Sequence, residues 1–225
     1  MPSFPSSQLA LRAQIITTCR QLGAAGLNQG TSGNVSVRVS ENLDDGFLLT
    51  PTSLDYAEMV PADIVHVTVD GTCQGPRRPS SELPFHRAIL AARHDSVAIV
   101  HTHSTHATAV ACLRRSIPAV HYLVALFGGS DIRCAEYATF GTDELSSNLV
   151  QALVGRRAAL MANHGLIVLG DNLAHAFMLT VEAEQLAKLY LTTLATGVPP
   201  VLLDDAEITR VADRFRAYGY RPVPR

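Results

Sequence analysis

The chain has 225 residues, of which 47% are hydrophobic and 17% charged, and its net charge is −2. This composition is typical of a globular protein that can bury a core without disulfides, and it excludes a disordered chain. The balanced charge excludes the broad basic surface of a nucleic-acid-binding protein. No apolar run reaches the ~20 residues that a membrane-spanning helix needs. Because the first residues also lack the basic and apolar segments of a signal peptide, we expect one cytoplasmic domain over 1–225.

The first third of the chain predicts a helix followed by antiparallel strands. Apolar residues at intervals of three to four predict a helix over 7–25. A polar, glycine-rich turn over 26–34 follows it, and Asp44-Asp45-Gly46 is typical of a hairpin turn. Alternating apolar residues predict three strands, over 35–39, 47–50 and 64–69.

The rest of the chain mixes helices and strands without regular alternation. Capping residues and apolar periodicity predict helices over 82–93, 105–113, 142–154, 172–194 and 205–217. Short apolar runs predict strands over 97–101, 119–123, 158–162 and 166–169. This order favours a mixed α/β fold in which a central, mainly antiparallel sheet is layered with helices, over a doubly wound parallel sheet.

Two histidines stand two residues apart at the end of a predicted strand. Residues i and i+2 of a strand point to the same face, so His101 and His103 would lie at chelating distance. His164 lies in a predicted turn, where an imidazole has no packing role, and Glu82 opens a predicted helix. Three imidazoles and a carboxylate suit Zn²⁺, with the carboxylate as the exchangeable ligand. The alternative is that the histidines are ordinary surface or core residues.

Three short turns are rich in glycine and hydroxyl groups, and each lies at the end of a predicted element. They are Gly33-Asn34, 50–53 and Ser80-Ser81. Hydroxyls and free backbone amides bind phosphate without any Lys or Arg, although each turn alone is better explained as a turn or cap. Because Glu82 follows Ser81 directly, a phosphate monoester bound by these turns would lie beside the metal.

Many stretches of the chain resemble the class II aldolase/adducin family. They are Gly26–Val37, Thr50–Thr52, Pro79–Glu82, Phe85–His86, His101–His106, Arg115–Tyr122, Tyr137–Thr142, His164–Leu166 and Leu189–Leu194. The likeness covers nearly the whole chain. It implies the fold of that family, one Zn²⁺ per subunit, and a homotetramer with active sites at the subunit interfaces.

The resemblance also implies a reaction and a role for individual residues. A ketose 1-phosphate, such as L-fuculose 1-phosphate or a related deoxy-ketose 1-phosphate, would be cleaved reversibly to dihydroxyacetone phosphate and a small aldehyde. Zn²⁺ would stabilise the enediolate, and Glu82 would ligate the metal at rest and then move the proton. The fixed zinc ligands would be His101, His103 and His164. The phosphate would be held by Asn34, Thr52, Ser53, Ser80 and Ser81. Tyr122 would donate a proton on the aldehyde side, and Tyr218 would reach the site of a neighbouring subunit.

Ser53 departs from the family pattern, which usually has glycine after Thr50-Pro51-Thr52. A backbone contact to phosphate could survive this change. A position that needs a positive φ would not suit serine, however, so the phosphate role is least supported at Ser53.

Alternative functions share the same metal site. They are a 5-deoxyribulose or methylthioribulose 1-phosphate aldolase, a pentulose-5-phosphate 4-epimerase, a dehydratase and a sugar-acid phosphate decarboxylase. Glu82 favours an aldolase, because the epimerases of the family tend to carry Asp after the paired serines. A non-catalytic scaffold of the adducin type is a further alternative, and the intact ligand set argues against it. Lys188 is the only lysine and is predicted on a polar helix face, which argues against a Schiff-base aldolase.

Overall fold

A computed structural model describes residues 6–40 and 45–219. Its six α-helices are α1 (Ser6–Ala24), α2 (Leu83–Ala92), α3 (Thr105–Cys112), α4 (Asp143–Ala152), α5 (Leu173–Leu194) and α6 (Asp205–Ala217). Its nine strands are β1 (Asn34–Arg38), β2 (Phe47–Leu49), β3 (Val65–Val67), β4 (Cys73–Gln74), β5 (Ala98–Thr102), β6 (Ile117–Pro118), β7 (Asp131–Ala135), β8 (Ala158–Met161) and β9 (Gly165–Gly170).

The strands form one sheet in the order β4-β3-β2-β1-β5-β9-β8-β7-β6. Every neighbouring pair is antiparallel except β7 and β8, which are parallel. The prediction of a mixed α/β fold with a mainly antiparallel central sheet is therefore confirmed. No helix in these two described ranges is long and apolar enough to cross a membrane.

Helices cover both faces of the sheet because its strands alternate their apolar side chains. In β9, Leu166 and Val168 pack into the cluster that includes α3 and α5 residues, whereas Ile167 and Leu169 pack with residues of α2 and α4. Helix α1 covers β1 and β5 through a third cluster that includes Ile15. Each large apolar side chain buried in this way stabilises the fold by roughly 1.5–3 kcal/mol.

The register of the central strands places the end of β5 between the start of β1 and the start of β9. His101 pairs with Asn34 of β1 on one side and with Ile167 of β9 on the other. The next pair on the β9 side joins Thr102 to Leu166. Residues just beyond β5 therefore lie close to the loop that precedes β9.

The predicted strand over 119–123 is wrong. The short strand β6 ends before this range, at Pro118, and Tyr122–Phe127 form a 3₁₀ helix that begins after His121 and ends at Gly128, whose φ is 94°. A short apolar run does not by itself distinguish a strand from a helical turn. Strand β7 was not predicted, because its sequence DIRCA interrupts the apolar run with polar side chains. Asp44 of the predicted hairpin turn lies outside the described residues, although β1 and β2 do pair antiparallel.

Candidate active site and metal centre

Three of the predicted imidazoles lie together at one end of the sheet. His101 is the penultimate residue of the buried strand β5, His103 follows the strand directly, and His164 comes from the loop between β8 and β9. The Nε2 atoms of His101 and His103 are 3.1 Å apart, and the ring of His164 lies 4.9 Å and 5.0 Å from theirs. One ring nitrogen of each histidine lies within 4.8 Å of the other two.

The loop between β8 and β9 directs His164 towards the other two rings. Asn163 has a φ of 53°, a left-handed conformation that asparagine tolerates better than most residues. The backbone N–H of His164 donates to the carbonyl of Met161 at 3.0 Å, which closes the turn. Arg114 fixes the loop from outside, since its Nε donates to Oδ1 of Asn163 at 2.8 Å.

Glu82 joins the three imidazoles from the start of α2. Its Oε1 lies 3.0 Å from Nε2 of His164, and its Oε2 lies 3.2 Å from Nε2 of His101. Burial by itself would raise the pKa of Glu82, but its contacts with His101 and His164 outweigh this effect and hold that pKa well below its usual range. The carboxylate is therefore ionised.

The lone pairs of this cluster fit a divalent cation. The Nδ1 of His101 lies 2.9 Å from the carbonyl oxygen of Leu166 and donates to it, so Nε2, which faces His103 and Glu82, is the ring atom free to ligate a metal. Burial lowers the pKa of His103 to about 4, so the ring of His103 is neutral near pH 7. Nitrogen and oxygen ligand atoms that converge in this way suit a shared cation. Imidazole and carboxylate donors suit Zn²⁺.

Glu184 was not predicted from the sequence, yet it anchors the segment that follows His103. Its carboxylate accepts hydrogen bonds at 2.8 Å from the backbone N–H groups of His106 and Ala107, in the first turn of α3. The Nδ1 of His106 lies 2.7 Å from the same carboxylate. His106 is thus bound to Glu184 and stays outside the metal cluster. A glutamate on a helix gives no sequence signal for this role.

The predicted phosphate-binding residues line a single cleft of about 400 Å³ that also reaches the metal cluster. From the phosphate set it includes Asn34, Thr52, Ser53, Ser80 and Ser81, and from the metal set it includes Glu82, His103 and His164. Two backbone hydrogen bonds join the turns at 50–53 and 78–81: Ser80 N–H donates to Thr50 at 3.0 Å, and Thr52 N–H donates to Arg78 at 3.1 Å. No Lys or Arg is among the described residues that line the cleft, so hydroxyl, amide and backbone groups supply its polar surface.

Ser53 has a positive φ at the position where the family usually has glycine. Its φ is 55°, in the left-handed region. The serine therefore keeps the backbone path that glycine takes more easily, and its backbone amide remains part of the turn.

The two predicted tyrosines do not line this cleft in a single chain. Tyr122 opens the 3₁₀ helix and is 47% exposed, and Tyr218 follows α6 and is 77% exposed. The ring of Phe215 in α6 lies 6.2 Å from that of Tyr122. Their roles towards the aldehyde or a neighbouring subunit stay predictions.

The rim of the cleft contains aromatic residues that sequence patterns did not assign to the site. Tyr137 and Phe140 line it and are 49% and 61% exposed. The guanidinium of Arg114 lies 5.7 Å from the centre of the Tyr137 ring. The sequence alone predicts a core or rim aromatic at Tyr137 and no role for Phe140, since exposed aromatic residues in a loop carry no periodicity.

Comparison with known proteins shows the family to which the chain belongs. The model of the family described as "Class II Aldolase and Adducin N-terminal domain" matches residues 13–191. The 5-methylthioribulose-1-phosphate/5-deoxyribulose-1-phosphate aldolase of Rhodospirillum rubrum is 48% identical over 216 residues, which are 96% of each chain. The L-fuculose phosphate aldolase of Escherichia coli K12 is 48% identical over 211 residues, 94% of this chain and 96% of that one. A solved structure of an L-fuculose 1-phosphate aldolase superposes with a TM-score of 0.87 at 39% identity, over 92% of this chain and 96% of that one.

The chain therefore belongs to the class II aldolase and adducin family. Two relatives that match this chain over 96% of their own length, at 48% identity, are aldolases. Within the family, it is an enzyme of the aldolase class, and hence a lyase.

Proposed function

We propose that this aldolase cleaves a ketose 1-phosphate to dihydroxyacetone phosphate and a small aldehyde. The observation that carries the proposal is the shared cleft, in which a hydroxyl-lined end adjoins three converging imidazoles and Glu82. A phosphate and the carbonyl carbon beside it fit these two ends. L-fuculose 1-phosphate or a related deoxy-ketose 1-phosphate is the proposed substrate, and 5-deoxyribulose and methylthioribulose 1-phosphates are its alternatives.

The proposed metal is Zn²⁺, one per subunit, held by His101, His103 and His164 with Glu82 as the fourth ligand at rest. When bound, the ion supplies Lewis-acid stabilisation of the negative charge that develops on the substrate oxygens. The lone pair of Nε2 on His101 is available for this role because Nδ1 donates to Leu166 at 2.9 Å.

Glu82 is the proposed carrier of the proton. An ionised carboxylate beside the metal accepts the proton during synthesis of the ketose and returns it during cleavage, at the carbon next to the carbonyl. The amide nitrogen of Asn34 donates to Oε2 of Glu82 at 2.7 Å and so orients the carboxylate. Asn34, Thr52, Ser53, Ser80 and Ser81 bind the phosphate through hydroxyl, amide and backbone groups.

We also propose that the chain is one domain over 1–225 that works as a cytoplasmic homotetramer. Exposed Tyr122 and Tyr218, which do not line the cleft of their own chain, support a site completed at a subunit interface. In that arrangement Tyr218 reaches a neighbouring cleft, and Tyr122 faces the aldehyde half of the substrate.

A panel of phosphorylated sugars tests the proposal. Zinc-loaded and chelator-treated enzyme are compared for dihydroxyacetone phosphate release from L-fuculose, 5-deoxyribulose and 5-methylthioribulose 1-phosphates, and for epimerisation of ribulose 5-phosphate. We expect zinc-dependent release, fastest with L-fuculose 1-phosphate. Faster release from 5-methylthioribulose 1-phosphate would overturn the substrate choice, and epimerisation without release would overturn the reaction. Failure of the purified chain to bind zinc would favour the scaffold alternative.

A further inference from the structure

A buried histidine behind the cleft contacts two side chains of β1. His86 has no exposed surface and lies one turn after Glu82 in α2. Its Nδ1 lies 2.8 Å from Oγ of Ser36, and its Nε2 lies 2.5 Å from Oδ1 of Asn34. Asn34 and Ser36 stand two residues apart on β1 and so face the same side. The ring therefore bridges two side chains of β1.

The neighbours of Asn34 fix the direction of each hydrogen bond. Its amide nitrogen lies 2.7 Å from Oε2 of Glu82 and 3.1 Å from Oγ of Ser80. Because an ionised carboxylate can only accept, the amide must present its NH₂ group to Glu82. Its Oδ1 then accepts from His86, so Nε2 of His86 carries the proton. The remaining lone pair, on Nδ1, accepts from the hydroxyl of Ser36.

The surroundings keep His86 in this one protonation state. Burial lowers the pKa of His86 to about 3, so the ring is neutral near pH 7 and carries a single N–H. The ring of Phe85 stacks on it, with centres 4.7 Å apart. If the amide of Asn34 rotated by half a turn, its NH₂ would face the N–H of His86 and its oxygen would face Glu82. Both contacts would be repulsive.

We propose that His86 is a positioning residue for the aldolase reaction, which acts through Asn34. By accepting from Ser36 and donating to Asn34, it holds the amide nitrogen towards Glu82 and Ser80. The carboxylate of Glu82, which moves the proton, is thereby held in a fixed position relative to the phosphate end of the cleft. His86 itself does not line the cleft. The inference rests on the proposed function, because it uses the roles proposed for Glu82 and Asn34.

The test compares His86→Leu with His86→Gln in the zinc-loaded full-length enzyme. Glutamine can place an amide N–H near the position of Nε2, whereas leucine cannot donate. We expect kcat to fall about tenfold or more in His86→Leu, which is the usual effect of losing a group that orients a metal ligand. In His86→Gln, kcat should stay within about threefold of wild type. In an Asn34→Ala background, His86→Leu should lower kcat no further, because the group through which it acts is gone. Equal losses in both backgrounds, or no advantage of Gln over Leu, would overturn the inference.

A second pair of variants preserves the test if His86→Leu does not fold. Ser36→Ala removes the hydroxyl that donates to His86. Ser96→Ala removes a hydroxyl that is equally buried but has no hydrogen-bond partner among the residues that the structure describes. We expect Ser36→Ala to lower kcat about threefold or more and Ser96→Ala to leave it unchanged. Equal kcat in the two variants would contradict the role of His86.

Binding of inorganic phosphate separates this inference from the proposed function. Calorimetry should show weaker phosphate binding in His86→Leu, by about tenfold, and near-normal binding in His86→Gln, because the Asn34 amide also contacts Ser80. If wild type cleaves no ketose phosphate, the proposed function fails, and phosphate affinity still tests His86. If wild type is active and His86→Leu matches it in both kcat and phosphate affinity, only the inference fails.

Discussion

Gly165 lies so close to Thr102 that a β-carbon added to it would stand 2.4 Å from the carbonyl oxygen of Thr102. The same carbon would stand 3.0 Å from Cδ2 of His103 and 3.2 Å from Cε1 of His101. Here glycine is needed for space, since β9 starts against the end of β5. The close approach of these two strands thus places the start of β9 against both imidazole rings.

Gly165→Ala is expected to weaken zinc binding by about tenfold or more, because the added methyl group pushes β9 away from the rings of His101 and His103. Competition with a chromophoric chelator measures the affinity. Gly23→Ala serves as the control, since a β-carbon there has no neighbouring atom within 4 Å in the described part of the chain. Unchanged zinc affinity in Gly165→Ala would show that the strands can separate without disturbing the metal site.

Ser53→Gly is expected to stabilise the protein by about 1 kcal/mol, because the residue occupies the left-handed region with a φ of 55°. The urea unfolding midpoint measures this. Ser81→Gly, in the same cleft without a positive φ, should lower stability instead. KM should remain close to wild type in Ser53→Gly if the backbone amide binds the phosphate. A severalfold rise in KM would assign the contact to the hydroxyl.

The sequence predicted the layered sheet because the strands that form its centre have clear apolar patterns. β5 and β9 are fully buried, and both were predicted within one or two residues. The elements near the β6 edge lacked such a pattern. β7 is only partly buried, and within the apolar run at 119–127 Tyr122–Phe127 fold as a 3₁₀ helix, which periodicity could not distinguish from a strand.

Glu82→Gln is expected to keep phosphate binding and lose turnover by about 10²–10⁴, the usual size of a general acid/base contribution. Glutamine keeps the shape and one acceptor for Asn34, so the cleft should stay intact. Steady-state kinetics and calorimetry with inorganic phosphate provide the two measurements. The control is Glu182→Gln on α5. A Glu82→Gln enzyme with normal kcat would remove Glu82 from the mechanism.

The stabilising role of Glu184 should depend on pH. Partial burial by itself would raise the pKa of Glu184, but the amides of His106 and Ala107 outweigh this and lower that pKa. Folding thus favours the charged form. Its contribution to the free energy of unfolding is complete above the pKa of the unfolded chain and is lost as pH falls through the lower, folded pKa.

Glu184→Gln should therefore lower the free energy of unfolding by about 1 kcal/mol near pH 7, the usual effect of losing a helix cap. The difference from wild type should shrink as pH falls below about 4, where Glu184 protonates in folded wild type. Urea unfolding at pH 7 and at about pH 3 measures it. A difference that stays constant with pH would mean that the carboxylate charge does not stabilise α3.

The parts of the candidate site whose geometry is fixed by a local motif could be predicted from the sequence. The parts whose geometry is fixed by tertiary contacts could not. His101 and His103 follow from strand periodicity alone. The bridge from His86 through Asn34 to Glu82 could not be read from the sequence, because it depends on the packing of α2 against β1. The position of His86 one turn after Glu82 favours packing over a role in orienting the carboxylate, and the structure shows a path of contacts from His86 through Asn34 to Glu82.

Mixing two inactive variants tests whether neighbouring subunits complete each site. Tyr218, 77% exposed at the end of α6, is expected to act in the cleft of another subunit, whereas Glu82 acts in its own. Glu82→Gln and Tyr218→Phe subunits are refolded together, and light scattering establishes the oligomer. If Tyr218 acts across the interface, random mixing at equal amounts should give about one quarter of the clefts both native residues. Activity no greater than the sum of the separate variants would place Tyr218 in the cleft of its own chain or outside the mechanism.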